Sequence, residues 1–133
     1  METAPVILNV GTALATCRGD PGLARALIEQ YRAGLPEERA ALAQARAATP
    51  PDWETLRDRA HRLRSGSAYI GAEQIAVAAR ELEKCILAQG SPDARAAGWR
   101  TLDQAFQEFL NTSEAENVFE AEGVSRPTVV NRP

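Results

Sequence analysis

The sequence predicts an all-α fold: an antiparallel four-helix bundle in up-down-up-down order, with a short N-terminal capping helix and a largely disordered C-terminal tail. Alanine and leucine supply most of the hydrophobic residues, and aromatic residues make up only 5% of the 133-residue chain. This composition favours helix over sheet. Four segments of roughly 16 to 27 residues repeat apolar residues with a helical period, and short connections separate them. The sequence shows no strand-like alternation and no internal repeat.

A short amphipathic piece from about Asn9 to Arg18 comes first, and we expect it to cover one end of the bundle. The first long helix begins after Asp20, which can cap it, and Pro21 fits its first turn because that position needs no backbone N–H. The apolar period continues to about Ala48. The predicted core stripe of this helix consists of Leu23, Leu27, Ile28, Tyr31, Leu35 and Leu42.

Two further features mark this first long helix. Arginines recur every seven residues from Arg25 to Arg46, and such a charge stripe is usually a solvated face. Pro36 lies inside the helix, where it removes a backbone donor, so we expect a kink or a split near Gly34.

The second long helix follows the Thr-Pro-Pro-Asp sequence at 49–52, with Thr49 or Asp52 as its cap. Gly71 is the expected stop, because glycine readily adopts the left-handed conformation that ends many helices. Residues spaced three and four apart form one buried seam, which comprises Trp53, Leu56, Ala60, Leu63, Ser67 and Ile70.

The last two long helices are separated by Gly90 and a Ser91-Pro92 start signal. The third should bury Ile75, Ala78 or Ala79, Leu82, and Cys85 or Ile86. The fourth should bury Trp99, Leu102, Phe106, and Phe109 or Leu110. After Asn111 the period decays, so we divide the chain into a helical bundle at 1–111 and a flexible tail or linker remnant at 112–133.

Charge, cysteine usage and hydropathy narrow the classes of function. The net charge is −3, whereas nucleic-acid-binding domains are usually basic, so we expect no nucleic-acid partner. Cys17 and Cys85 form no Cys-x-x-Cys pair, and a single histidine leaves no zinc ligand set. We interpret both as buried or half-buried thiols of a reducing cytoplasm. The N-terminus does not resemble a signal peptide, and no window approaches the ~20 apolar residues of a membrane span.

His61 is the one chemical candidate in the sequence. The chain has no Gly-rich phosphate loop, no Ser/His/Asp arrangement and no Glu-x-x-His motif. Glu81 and Glu83 cannot share a helix face, which argues against a carboxylate dyad.

On its helix, His61 lies one step round from Ala60, at the margin of the buried seam, so the imidazole should be exposed. Arg57 lies four residues before it and Arg64 three residues after it. Their guanidinium groups would flank the imidazole and stabilise a dianion placed on this nucleophile.

The residues that follow the histidine are small. Ser65, Gly66 and Ala68 leave room for another protein surface to come close, although a mid-helix glycine costs about 1 kcal/mol relative to alanine. Composition and spacing leave a second interpretation open. In it, His61 is only a polar surface residue, the arginines pair with acids of neighbouring helices, and Gly66 relieves crowding between helices.

The stretch AHRLRSGSAYIGAEQIAVAARELE resembles the signature of histidine-containing phosphotransfer (HPt) domains. The signature residues appear here as His61, Leu63, Arg64, Ser67 or Ala68, Gly71-Ala72 and Leu82-Glu83. The preceding segment, with Leu-Pro-Glu inside the first long helix, also resembles the family, and the resemblance covers roughly residues 7 to 111. One departure is Ser65, because the family generally has glycine four residues after the histidine and this chain has its glycine one place later, at Gly66.

The resemblance implies a phosphocarrier in a His–Asp two-component phosphorelay. His61 would accept a phosphoryl group, at Nε2, from the aspartate of one receiver domain and pass it to another. Arg64 and Arg57 would stabilise the phosphoryl charge, and Ser65 would contact the phosphoryl group or hinder docking. The docking surface would include the apolar rim of the first two long helices together with Ala60, Gly66 and Ala68.

The resemblance also implies the cofactors and partners. The domain itself would hold no cofactor and no metal, because the receiver domain would supply Mg²⁺, and it would have no ATPase or kinase activity alone. The partners would be response-regulator receiver domains and the parent hybrid histidine kinase. We expect a cytoplasmic monomer, or the cytoplasmic end of a membrane-bound sensor kinase, without direct membrane contact.

The sequence is compatible with two other classes of function. In one, the chain is a helical module that binds a receiver without carrying phosphate, an option that the Ser65 side chain supports. In the other, it is a structural fragment of a larger kinase whose docking face serves dimerisation.

Overall fold

The computed structural model describes residues 4–112 and the backbone of residues 129–130. Its helices are α1 (Val10–Thr16), α2 (Pro21–Ala47), α3 (Trp53–Ile70), α4 (Glu73–Leu87) and α5 (Pro92–Leu110). A two-residue antiparallel ladder joins β1 (Leu8–Asn9) to β2 (Val129–Val130), with Leu8 opposite Val130 and Asn9 opposite Val129. The predicted all-α class is confirmed.

Capping side chains determine where three of the long helices begin. Asp20 Oδ1 accepts from the backbone N–H of Leu23 at 3.1 Å, and Pro21 follows it at the first helical position. Asp52 caps α3, so of the two predicted caps the structure uses Asp52 rather than Thr49. Ser91 Oγ caps α5 in the same way. Each cap satisfies a backbone donor that the first turn leaves free, which explains why these starts could be predicted.

Helix α2 continues through Pro36 without a break, so the predicted split near Gly34 is wrong. Pro36 is exposed, whereas Leu35 and Leu42 are buried at 2% and 0% exposure. Packing on both sides of the proline therefore holds the helix together despite the backbone hydrogen bond that proline cannot make.

One hydrophobic core lies between the helices. Helix α2 packs on α3 and α5, α3 packs on α4, α4 packs on α5, and α1 lies against α2 and α3. The core includes the predicted residues Leu42, Leu56, Ala60, Ile75, Leu82, Leu102, Phe106 and Phe109. Leu23 is a wrong prediction, because it is 55% exposed in the first turn of α2, and the buried stripe begins at Ala24 instead.

The arginine stripe of α2 is not simply the solvated face that the sequence suggested. Arg39 donates to both carboxylate oxygens of Asp103 on α5, from Nε at 2.5 Å and from Nη2 at 3.1 Å. This hydrogen bonding raises the pKa of Arg39 and holds the pKa of the Asp103 carboxyl below its usual value. Arg32 lies over the ring of Phe109 and donates to its carbonyl oxygen at 3.1 Å. Arg32 and Arg39 of this stripe thus tie α2 to α5.

The N-terminal segment is fastened to the turn between α3 and α4. Glu73 accepts from Val6 N at 3.2 Å and from Asn9 Nδ2 at 3.0 Å, and Asn9 N donates to Gly71 O at 2.8 Å. Gly71 has a φ of 90°, and a Cβ at this position would collide with the carbonyl oxygen of Asn9. The predicted helix stop at Gly71 is confirmed, and the close approach of Asn9 adds a second reason for glycine.

The predicted flexible tail at 112–133 falls mostly outside the described residues. The strand at Val129–Val130 was not predicted, because two residues are too few to show a period. Both cysteines are free thiols, Cys17 buried and Cys85 half-buried, as the sequence predicts. Among the described helices, none combines the length and the apolar character needed to cross a membrane.

Candidate functional site

His61 lies near the middle of α3, and its side chain is 57% exposed, as the sequence predicts. Ala60 and Leu56, on the neighbouring face of the same helix, are fully buried. The backbone that carries the imidazole is therefore anchored in the core while the ring itself lies at the surface.

Two polar contacts hold α3 against α2. Tyr31 Oη and Ser67 Oγ share a hydrogen bond of 2.5 Å, which accounts for a serine in the buried seam. Burial raises the pKa of Tyr31, so this phenol stays neutral at physiological pH. Arg59 donates to Glu38 on α2, with Nη1 at 3.1 Å from Oε2. These contacts fix α3 to α2.

Glu83 of α4 is the direct partner of His61. Its Oε2 lies 2.6 Å from His61 Nδ1, and the carboxylate side chain is only 10% exposed. His61 and Glu83 are equally far along the chain from Ala72, which lies between α3 and α4. Because the two helices pack closely along each other, this symmetry about the turn brings the two side chains together.

The contact with Glu83 determines the chemical form of the imidazole. An ionised carboxylate only accepts hydrogen bonds, so the proton is assigned to Nδ1 of His61. The other ring nitrogen, Nε2, then carries the lone pair. The imidazole is exposed and its Nδ1 is hydrogen-bonded to Glu83, so it can react as a nucleophile at Nε2.

Arg64 compensates the charge of Glu83 from the other side. Its Nη1 lies 3.2 Å from Glu83 Oε1, close enough for an ion pair but without the alignment of a hydrogen bond. A carboxylate that is largely removed from water needs such compensation. The structure therefore places Arg64 beside the carboxylate that orients His61, as well as one turn from His61 itself.

Arg57 lines the same surface concavity as His61, but its guanidinium is turned towards Asp58. Nε and Nη2 of Arg57 lie 3.2 and 3.0 Å from Asp58 Oδ1. The concavity is bounded by Arg57, Asp58, His61, Arg62, Glu83 and Leu87. The sequence predicts that Arg57 lies near His61. It does not predict that the Arg57 guanidinium donates to the carboxylate of Asp58.

The predicted docking residues separate into two groups. Gly66 and Ala68 are exposed on α3, as is Ser65, whereas Ala60 is fully buried. The prediction that Ala60 belongs to the docking surface is therefore wrong, because a residue inside the core cannot line such a surface. A Cβ at Gly66 would meet no atom of the described residues within 4 Å, so relief of crowding between helices does not explain this glycine.

Sequence reasoning missed the role of Glu83. Glu81 is exposed and Glu83 is buried, so the prediction that they do not share a face is confirmed. Two features of the sequence could have indicated Glu83. It follows Leu82 on an otherwise apolar helix face, and it is as far along the chain from Ala72 as His61 is. Within residues 4–112, no group of three or more His, Cys, Asp or Glu side chains is placed to hold a metal ion.

A family model described as Hpt domain matches residues 26–112, which span α3, α4, α5 and most of α2. Neither the curated proteins nor the solved structures yielded a match. Hpt domains take part in phosphotransfer in His–Asp phosphorelays and interact with receiver domains of response regulators. Since the match covers well over half of the chain and contains the His61–Glu83 pair, the chain belongs to the Hpt domain family.

Proposed function

We propose that this protein is a phosphocarrier that accepts a phosphoryl group on His61 from a receiver-domain aspartate and passes it to another receiver. The observation that supports this most directly is the 2.6 Å contact between His61 Nδ1 and Glu83 Oε2. It leaves Nε2 as the nucleophile. Nε2 attacks the phosphorus, the N–P bond forms, and the O–P bond to the aspartate breaks, so that the carboxylate leaves.

Glu83 supplies electrostatic stabilisation to this step. Attack through Nε2 leaves the proton on Nδ1, so the phosphorylated ring carries a positive charge next to the carboxylate. A hydrogen bond to a charged group is about twice as strong as a neutral one. In the onward transfer the ring leaves as neutral imidazole, because Nδ1 keeps its proton throughout. Glu83 thus orients the ring and favours the form that can both accept and release the group.

The two arginines named from the sequence would act at different distances from the phosphoryl group. Arg64 acts first on Glu83, since its Nη1 is 3.2 Å from Oε1. Arg57 would have to leave Asp58 before it could contact a group on Nε2. Both remain proposed contributors to the charge stabilisation of phosphohistidine.

Ser65 is proposed as a phosphoryl contact. It is exposed one helical turn from His61, and its hydroxyl has no hydrogen-bond partner among the described residues. Ser65→Ala should therefore shorten the lifetime of phosphohistidine by about two- to tenfold, as expected for the loss of one hydrogen bond. A faster transfer in Ser65→Gly than in the wild type would instead show that the side chain hinders docking.

The receiver would dock over the exposed side of α3 and over the rim of α2. Gly66 and Ala68 would allow its close approach to α3, because their side chains are absent or small. It would bring Mg²⁺ and the other groups that act on the aspartyl phosphate. We further propose that the four long helices run up-down-up-down, and that the protein acts as a cytoplasmic monomer or as a domain of a hybrid histidine kinase.

The alternative is a receiver-binding module that carries no phosphate, and the exposed Ser65 side chain in the position of the family's glycine favours it. One experiment separates the two. Receiver domains from the same genome are labelled with radioactive phosphoryl donor, mixed with the protein, and the protein is examined for an acid-labile, alkali-stable label. The phosphocarrier predicts a label that His61→Gln removes. Binding without label, unchanged in His61→Gln, would establish the module instead.

A further inference from the structure

Arg57, Arg62 and Arg64 of α3 lie near His61, and they differ in whether a carboxylate already pairs with the guanidinium. Arg57 donates twice to Asp58, and Arg64 forms an ion pair with Glu83. Arg62 is exposed, lines the same concavity as His61, and has no hydrogen bond or ion pair with any residue in the described part of the chain.

This difference decides which arginine can respond to a phosphoryl group most readily. Moving Arg64 to the phosphoryl group would deprive a carboxylate that is only 10% exposed of its cation. Moving Arg57 would release Asp58, whose carboxylate lines the concavity and would repel the dianion. Arg62 has no such partner among residues 4–112, so its guanidinium can turn to the phosphoryl group without breaking an ion pair within that range.

The geometry of the helix also permits the contact. Side chains of consecutive residues point about 100° apart, so Arg62 needs its full length to reach His61. An arginine of this helix can reach the side chain of an adjacent residue, because Nη2 of Arg57 lies 3.0 Å from the carboxylate of the next residue, Asp58. Helical side chains also lean towards the N-terminus of the helix, which carries Arg62 back towards His61.

We propose that Arg62 binds the phosphoryl group carried on Nε2 of His61, as the first guanidinium to engage it. This inference rests on the proposed function, since it assumes that His61 is the phosphorylated residue. It also changes the order in which the arginines contact the phosphoryl group. Arg57 and Arg64 contact it after Arg62, or act indirectly, Arg57 through Asp58 and Arg64 through Glu83.

The test uses the whole protein without a receiver, so that docking does not contribute. Phosphoramidate is the phosphoryl donor: Nε2 attacks its phosphorus, the new N–P bond forms, the old P–N bond breaks and ammonia leaves. The last ionisation of the phosphoryl group is then followed by ³¹P NMR between pH 5 and 8. A guanidinium in contact favours the dianion, so Arg62→Gln should raise that pKa by about half a unit.

Arg57→Gln should cause a smaller shift, and Arg100→Gln, an exposed arginine of α5, should cause none. A shift in Arg62→Gln no larger than in Arg100→Gln would overturn the inference while leaving His61 as the acceptor. If neither phosphoramidate nor a phosphorylated receiver gives a signal that His61→Gln removes, the proposed function itself fails, and the inference fails with it.

Discussion

Replacing Glu83 by glutamine removes the charge beneath His61 with little change of shape. In the wild type, Oε2 of Glu83 lies 2.6 Å from Nδ1 of His61, and the carboxylate is 10% exposed. The glutamine amide can still accept one hydrogen bond there, but it offers no negative charge to the phosphorylated ring. Glu83→Gln therefore separates electrostatic stabilisation from simple packing.

The size of the effect follows from the change in the hydrogen bond. A hydrogen bond to a charged group contributes about 1.5–3 kcal/mol, and a neutral one contributes about 1 kcal/mol. The loss of about 0.5–2 kcal/mol from the charged product and the transition state that precedes it corresponds to a rate about 2- to 30-fold lower. The ion pair of Arg64 with Glu83 is lost as well, but the half-exposed Arg64 side chain can turn to water.

Rapid-quench measurement of phosphoryl transfer from a labelled receiver to His61 gives this rate. Glu81→Gln is the matched control, because Glu81 is exposed on the same helix two residues away. Thermal unfolding of both variants shows whether the fold is kept. A Glu83→Gln protein that is folded and transfers within twofold of the Glu81→Gln control would refute the role of the carboxylate.

Three further predictions concern the glycines and the pH dependence of stability. Gly66→Ala should stabilise the fold by about 0.5–1 kcal/mol in urea unfolding, because a Cβ there meets nothing within 4 Å in the part of the chain that the structure describes; a destabilised variant would contradict this. Gly71→Ala should destabilise it by more than about 2 kcal/mol in the same assay, because φ is 90° and the Cβ would collide with Asn9; an unchanged unfolding midpoint would contradict this. Arg39 lowers the pKa of Asp103, so the stabilisation that Asp103 provides is complete above the unfolded pKa of about 3.9 and is lost as pH falls through the lower native pKa. Asp103→Asn should remove about 0.5–1 kcal/mol at pH 7 and show a shallower loss of stability in acid, whereas parallel pH profiles would argue against the pair.

Features set by local chemistry could be predicted from the sequence. Asp20 before Pro21, and Ser91 before Pro92, mark helix starts because a capping oxygen and a proline act on the first turn alone. Gly71 marks a stop for a similarly local reason. The all-α class follows from these signals and from the helical period between them.

Features set by tertiary contacts could not be predicted in this way. The effect of Pro36 depends on how firmly Leu35 and Leu42 pack, and the environment of Arg39 depends on Asp103 of α5. Leu23 fits the apolar period, yet none of the described elements covers the first turn of α2 enough to bury it. The period identifies candidates for the core, and the partner elements select among them.

The candidate site shows the same division. His61 could be placed at the edge of the buried seam, with Arg57 and Arg64 one turn away, from helix geometry alone. Glu83 could not, because its contact with His61 depends on the register between α3 and α4. That register is set by the Gly71-Ala72 turn, and counting outward from Ala72 on both helices would have paired the two residues.

The position of the phosphoryl group on the imidazole shows which nitrogen of His61 is the nucleophile. The protein is labelled with ¹⁵N-histidine, phosphorylated by a receiver, and examined by ¹H–¹⁵N and ³¹P NMR. Since His61 is the single histidine of the chain, its ring signals need no further assignment. We predict phosphorus coupled to Nε2 and a proton retained on Nδ1. Phosphorus on Nδ1, or a stable phosphoester on Ser65 with the imidazole unmodified, would contradict it.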